Sequence, residues 1–293
     1  MSRIIAWLLW LLPVASAHAQ FLAWDFAASG CAADLGSFRS HFEAGDAAVA
    51  FGGASGGSGG TFPGDRSLQV FVPSTNRTHT VLLHLPASYS HARAWPSVLV
   101  LHGAAGSAQD APVWAADFRT FWSGIAEREG LVLIVPIASG SGGGWQRTLD
   151  APAIACAMNA VAQVYNLDLD RRYLWGFSAG GHAGHAIALA NAGRFAAYAV
   201  NAGALWAAAC SQPGTSLDCA ALLPQVARRI PVSLRVGDQD PLQSYAVGDA
   251  QRFQQAGWTT ETLLYAEFPG GHQIDYPDIE AAWSWFAPHR LPH

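Results

Sequence analysis

The sequence predicts an α/β fold, a mostly parallel central sheet of about eight strands with helices on both faces. Three observations predict it. From Arg66 onward, short apolar runs rich in β-branched residues alternate with longer, alanine-rich amphipathic stretches, the pattern of strands joined by crossover helices. The chain has 293 residues, of which 51% are hydrophobic and 13% charged, so it can fill a sizeable core and is too apolar to remain disordered. The run "RYLWGF" passes through Ser178 straight into "AGGHAGHA", which makes a strand turn sharply into a helix.

The strands expected in order are "SLQVFV", "HTVLLHL", "SVLVLHG", "LVLIVPI", "RYLWGF", "AYAVNA", "PVSLRVG" and "ETLLYAEF". The first two are close in sequence with no helix between them, so they form an antiparallel start. Helices are expected over 113–128, 151–165, 180–192, 249–256 and 279–286. Internal repeats are absent, and residues 67–293 read as a single domain.

What precedes that domain is of another kind. Residues 1–19 combine Arg3, an apolar core over 4–12 and the small-residue ending Ala17-His18-Ala19. This is the form of a secretory signal, and the apolar run is well short of the ~20 residues a membrane span needs. The mature chain is therefore expected to be secreted or periplasmic. Residues 20–66 read as an N-terminal extension that ends in a glycine-rich linker, "AGDAAVAFGGASGGSGGTFPG", expected to be a flexible connector. Export makes Cys31, Cys156, Cys210 and Cys219 candidates for disulfides. Cys210 and Cys219 enclose the turn-rich "SQPGTSLD" and are the favoured pair, which leaves Cys31 with Cys156.

Charge narrows the function. A net charge of −5, a pI near 6.1 and no arginine cluster argue against nucleic acid as a partner. All 16 Lys+Arg residues are arginine, which removes Walker A loops, pyridoxal phosphate Schiff bases, Ser-Lys dyads and lysine aldolases.

The chemistry sits at the corner serine. "GFSAG" follows a strand and precedes a helix, where a strained turn lifts a serine hydroxyl above the sheet. Glycines at both ends of the motif allow backbone segments to approach closely, and Gly181 extends that tolerance into the helix. A serine needs a histidine base and a carboxylate to orient it. "LRVGDQDPL" offers Asp240, with Asp238 as the second choice, and "LLYAEFPGGHQID" offers His272, each at a strand end and in the order serine, acid, histidine. "LVLHGAAGS" supplies an oxyanion loop, so the amides of Ala104 and Ala179 are the expected donors. His102 is expected to position that loop or touch substrate, and Trp145 in "SGGGWQR" either flanks the substrate or packs its own loop.

"LHGAAG", "RRYLWGFSAGG", "VGDQDP" and "GGHQID" resemble the α/β-hydrolase superfamily over residues 67–288, and within it the secreted polyhydroxybutyrate depolymerase and feruloyl esterase group. The closest likeness is "NLDLDRRYLWGFSAGG", with Asp170 and Arg171 just before the elbow strand. Where that group often has tryptophan soon after the histidine, this chain has Gln273 and Ile274. The resemblance implies a serine esterase that uses no cofactor and cleaves polyhydroxyalkanoate oligomers, feruloyl-type or short-chain acyl esters. A peptidase with the same residues and a non-catalytic binding protein are the alternatives. His182 and His185, at i and i+3, lack further ligands in the motif and read as hydrogen-bonded core residues rather than a metal site. Asn76-Arg77-Thr78 matches a glycosylation acceptor and is expected to be inert.

Overall fold

The computed structural model describes residues 53–58, 63–205, 211–212, 215–216 and 222–292. The expected signal at 1–19 lies outside these residues, as do Cys31, Cys210 and Cys219.

The chain enters the sheet through β1 (Gly64–Val72) and β2 (Arg77–Leu85), an antiparallel pair in unbroken register whose turn closes at Asn76 in the left-handed region. There follow β3 (Trp95–Leu101), α1 (Ala111–Glu129), β4 (Val132–Pro136), α2 (Arg147–Val164), β5 (Leu167–Phe177), α3 (Ala179–Ala190) and β6 (Ala197–Asn201). A two-residue hairpin, β7 (Ser211–Gln212) and β8 (Thr215–Ser216), precedes β9 (Val232–Gly237), α4 (Gln243–Gln255), β10 (Leu263–Phe268) and α5 (Tyr276–Phe286). The main sheet among the described residues has eight strands in the order β1-β2-β4-β3-β5-β6-β9-β10. β2 runs against both of its neighbours, and every other pairing is parallel.

Strand periodicity sorts the core into two layers, because successive side chains point to opposite faces. Leu99, Ile134, Leu174, Val200 and Leu234 meet α2, α3 and α4 on one face. Val98, Val135, Tyr173, Trp175 and Ala199 meet α1 and α5 on the other, where Trp122 stacks on Phe286 and Tyr173 on Phe286. With both faces covered, the carboxyl ends of the strands are where loops can carry polar chemistry.

Several boundaries move, α2 starting at Arg147 rather than 151, α5 at Tyr276 rather than 279 and β1 at Gly64, and two changes have a clear cause. α4 starts at Gln243 rather than 249, because Asp240 Oδ1 accepts from the Leu242 amide and the Asp240 carbonyl accepts from Gln243, which nucleates the helix early. The polar run up to Gly248 buries only Ala246 and hides that start from a periodicity reading. The glycine-rich stretch is also not slack throughout. Ala54 bridges Asp168, the Ser55 amide donates to the Leu167 carbonyl, and the Gly53 amide donates to Asp170 Oδ2 at 3.0 Å. A side chain at Gly57 would run into the Tyr165 backbone at 2.6 Å, so here glycine serves close approach to the turn between α2 and β5.

Candidate active site

Ser178 sits between β5 and α3 with φ 53° and ψ −119°, a conformation that costs a non-glycine residue about 1–3 kcal/mol and persists only where its surroundings enforce it. Its amide donates to the Asn201 carbonyl at 3.0 Å, and its carbonyl accepts from His182 N at 2.9 Å. The flanking glycines are sterically required. A Cβ on Gly176 would collide with the Gly180 carbonyl, one on Gly180 with the Leu101 carbonyl, and one on Gly181 would lie 2.8 Å from Val200 Cγ1.

The acid and the histidine come from neighbouring strand ends. Asp240 follows β9 and its side chain is fully buried. The His272 loop follows β10 and folds back over β9, where only a glycine fits at 237 because a Cβ would strike the Gly270 carbonyl. The Gln239 amide donates to Gly270 O at 2.8 Å, and Asp238 Oδ1 accepts from the Gly270 amide at 2.9 Å. Downstream, Asp275 and Asp278 form a capping box at the start of α5, and Arg235 on β9 holds Asp278 Oδ1 through Nε at 3.1 Å and Nη2 at 3.0 Å. Burial raises the Asp278 pKa, and the Arg235 guanidinium and the Asp275 amide pull it back.

Clamped at both ends, the loop places His272 Nδ1 2.9 Å from Asp240 Oδ2 and Nε2 2.8 Å from Ser178 Oγ. A carboxylate can only accept, so Nδ1 carries the proton and Nε2 is left to accept from the serine hydroxyl. The Phe177 ring lies 5.1 Å from the imidazole and supports it from the strand side. Asp238 faces the loop backbone instead, the turn-stabilising place that falls to whichever aspartate does not meet the histidine.

The loop after β3 is built around His102, which is wholly buried. Ala138 N donates to its Nε2 at 3.1 Å, so the ring proton sits on Nδ1 and donates to the Gly103 carbonyl at 2.7 Å. Burial lowers the His102 pKa, which keeps this neutral tautomer. Within one planar trans peptide the carbonyl and the next N–H point opposite ways, so fixing the Gly103 carbonyl aims the Ala104 amide outward. Among the described residues, neither the Ala104 nor the Ala179 amide donates a hydrogen bond. Both are open to a developing negative charge.

Substrate contact by His102 is therefore a correction: with no exposed surface, its imidazole serves the loop backbone. Of the two places open to Trp145, the contacts show the one in its own loop, with part of the side chain still exposed. Its indole Nε1 donates to the His102 carbonyl at 2.8 Å and its ring lies 5.1 Å from the imidazole, so it braces the loop. His182 Nδ1 accepts from Ala204 N at 2.8 Å, and buried His185 meets the Tyr198 hydroxyl at 3.1 Å, with burial pushing its pKa down to about 3. No group of three or more histidine, cysteine, aspartate or glutamate side chains among the described residues could hold a metal.

Two supporting residues were not anticipated. Asn201 holds the elbow by its carbonyl and accepts from Trp175 Nε1 at 3.0 Å. Asp150, in the first turn of α2, is 1% exposed and accepts from Ser139 N at 3.1 Å and Gln146 N at 2.6 Å. It thereby closes the loop whose Gly143 carbonyl receives Ala105 N. Burial raises the Asp150 pKa and those hydrogen bonds lower it. Only a lone acid among the alanines of "RTLDAPAIACA" signalled it.

Comparison with known proteins agrees with this architecture. The Esterase family model matches residues 72–288. A ferulic acid esterase superimposes with a TM-score of 0.62 at 15% identity, covering 77% of this chain and 99% of its own. An S-formylglutathione hydrolase from Staphylococcus aureus gives a TM-score of 0.56 at 15% identity, covering 78% and 97%. Dipeptidyl peptidase 4 from Porphyromonas gingivalis gives 0.56 at 14%, covering 76% of this chain and 35% of the peptidase. At such identities these likenesses establish the α/β-hydrolase fold. No curated protein matches the sequence.

Proposed function

The chain belongs to the Esterase family and is a carboxylic ester hydrolase, and from that premise we propose that it works as a serine esterase through an acyl-enzyme. The observation that carries the mechanism is the relay from Asp240 through His272 to Ser178, with steps of 2.9 and 2.8 Å. Ser178 Oγ attacks the ester carbonyl carbon while its proton passes to His272 Nε2, and buried Asp240 stabilises the imidazolium. The carbonyl oxygen becomes an oxyanion facing the Ala104 and Ala179 amides. Collapse breaks the carbonyl–alkoxy bond, and the leaving alcohol takes the proton from His272. Water then attacks the acyl-serine by the same route, which releases the acid and restores the Ser178 hydroxyl.

The substrates we favour are short-chain acyl, feruloyl-type or polyhydroxyalkanoate-oligomer esters. The fold is shared with a ferulic acid esterase and with a peptidase, so the test compares both bond types. Purified protein should turn over 4-nitrophenyl acetate far better than 4-nitroanilides of small peptides, and Ser178→Ala should lose the ester activity with its thermal melt retained. Turnover undiminished in the variant overturns the assignment of Ser178, and preference for the anilides overturns the ester reading. A chain unreactive toward a fluorophosphonate would be a binding protein on this scaffold.

We also place the mature protein outside the cytosol, a reading supported by the signal-like residues 1–19 and by four cysteines that could pair there. Bonding of Cys210 with Cys219 and of Cys31 with Cys156 is part of that reading. Amino-terminal sequencing of the exported chain and non-reducing peptide mapping test it.

A further inference from the structure

Resting on the esterase reading, we propose that Trp114 is the specificity-determining wall of the site, an indole platform for a planar, apolar portion of the ester. The tryptophan suggested by sequence, Trp145, has its N–H spent on the His102 carbonyl and packs against the core. Trp114, in the first turn of α1, is placed differently. Gly103, whose following amide is the proposed oxyanion donor, lies between two aromatic edges: a Cβ there would come within 3.1 Å of Phe177 Cδ1 and 3.3 Å of Trp114 Cζ3.

One side of the indole is secured. Phe118, 4% exposed, stacks against Trp114 with ring centroids 6.1 Å apart and planes inclined by 17°. Phe118 continues to Phe177 at 5.9 Å, and Phe177 to His272 at 5.1 Å, so an unbroken aromatic chain leads from Trp114 to the reacting imidazole. Trp114 is itself only half-buried. Its Nε1–H has no hydrogen-bond partner among the described residues and is not among the buried unpartnered atoms. A rigid indole backed by a buried ring, with an exposed remainder and its six-membered ring edge against the oxyanion loop, suits a flat apolar group.

The ring edge lies against Gly103 of the oxyanion loop, which does not choose between the acyl and alcohol sides of an ester, so the test varies each. One pair of substrates is 4-nitrophenyl cinnamate against 4-nitrophenyl acetate, and the other is 2-naphthyl acetate against ethyl acetate. The readout is the ratio of kcat/KM within each pair. Trp114→Ala should lower one of the two ratios about tenfold, mainly through KM, and Trp114→Phe, which keeps a ring and preserves the packing, should lower it by about threefold or less. Trp145→Phe should depress both members of each pair in parallel. If Trp114→Phe and Trp114→Ala leave both ratios within about twofold of the parent, the proposal is overturned and Trp114 only packs the loop. Failure of the esterase reading itself would look different: the parent protein would hydrolyse none of the four esters.

Discussion

Two loops of this molecule carry the same short pattern, a histidine beside a glycine at the carboxyl end of a strand, and they are put to opposite uses. His102, after β3, has no exposed surface and gives one ring nitrogen to the backbone of its own loop and the other to that of a neighbouring loop. His272, after β10, keeps 35% of its side chain exposed, gives one nitrogen to Asp240 and turns the other to Ser178. The second nitrogen decides the difference. Facing an amide N–H that cannot give up its proton, an imidazole is a fixed strut; facing a hydroxyl, it is a base.

The contrast can be broken most severely at His272. His272→Ala should lower kcat for 4-nitrophenyl acetate by roughly 10⁴-fold or more with the thermal melt retained. Asp240→Asn should cost about 10³–10⁴-fold, because the imidazole loses the partner that fixes its tautomer, whereas Asp238→Asn should cost less than about tenfold. Steady-state kinetics on the two variants separate them, and the reverse order would move the acid to Asp238.

His102 should show the milder, strut-like defect. His102→Gln frees the Gly103 carbonyl and with it the aim of the Ala104 amide, so kcat should fall on the order of 10²-fold with KM nearly constant. A loss as deep as that of His272→Ala would mean that His102 handles the proton.

The smallest effect concerns a third histidine that faces no substrate. Burial holds His185 near about 3, whereas an unfolded histidine titrates near about 6.5. Between those values the unfolded chain binds the extra proton, so the His185 contribution to stability is complete above pH 6.5 and is lost as pH falls toward 3, by at most ~1.4 kcal/mol per pH unit. Asp249, pushed up to about 6 by burial, acts in the opposite sense, so a variant is needed to isolate the histidine. Urea midpoints should show His185→Leu less stable than the parent at pH 7, with the gap narrowing at pH 5.

The same contrast explains what the sequence could reveal. The eight strands were legible because "SVLVLHG" and "LVLIVPI" are buried on both sides of the sheet and are punctuated by turn residues. Ser178, Asp240 and His272 were legible because a strained corner needs glycines and because each lies just past a strand. Depth was not legible. "LHGAAG" does not say that His102 is sealed beneath its own loop, nor does "GGGW" say that the Trp145 indole points at a carbonyl. Trp114 lay in the helix expected over 113–128 with no motif to single it out, and only the approach of its ring to Gly103 brings it to the site. Glycines misled where they packed, since the stretch around Gly57 reads as slack yet lies against β5.

The most direct measurement is rapid acid quenching of the enzyme with 4-nitrophenyl acetate, followed by mass spectrometry of the intact chain and its peptides. One acetyl group should be found on Ser178 during turnover, and it should persist after quenching. Turnover with no acetylated intermediate, or with the acetyl group on another residue while Ser178→Ala stays active, would contradict the account.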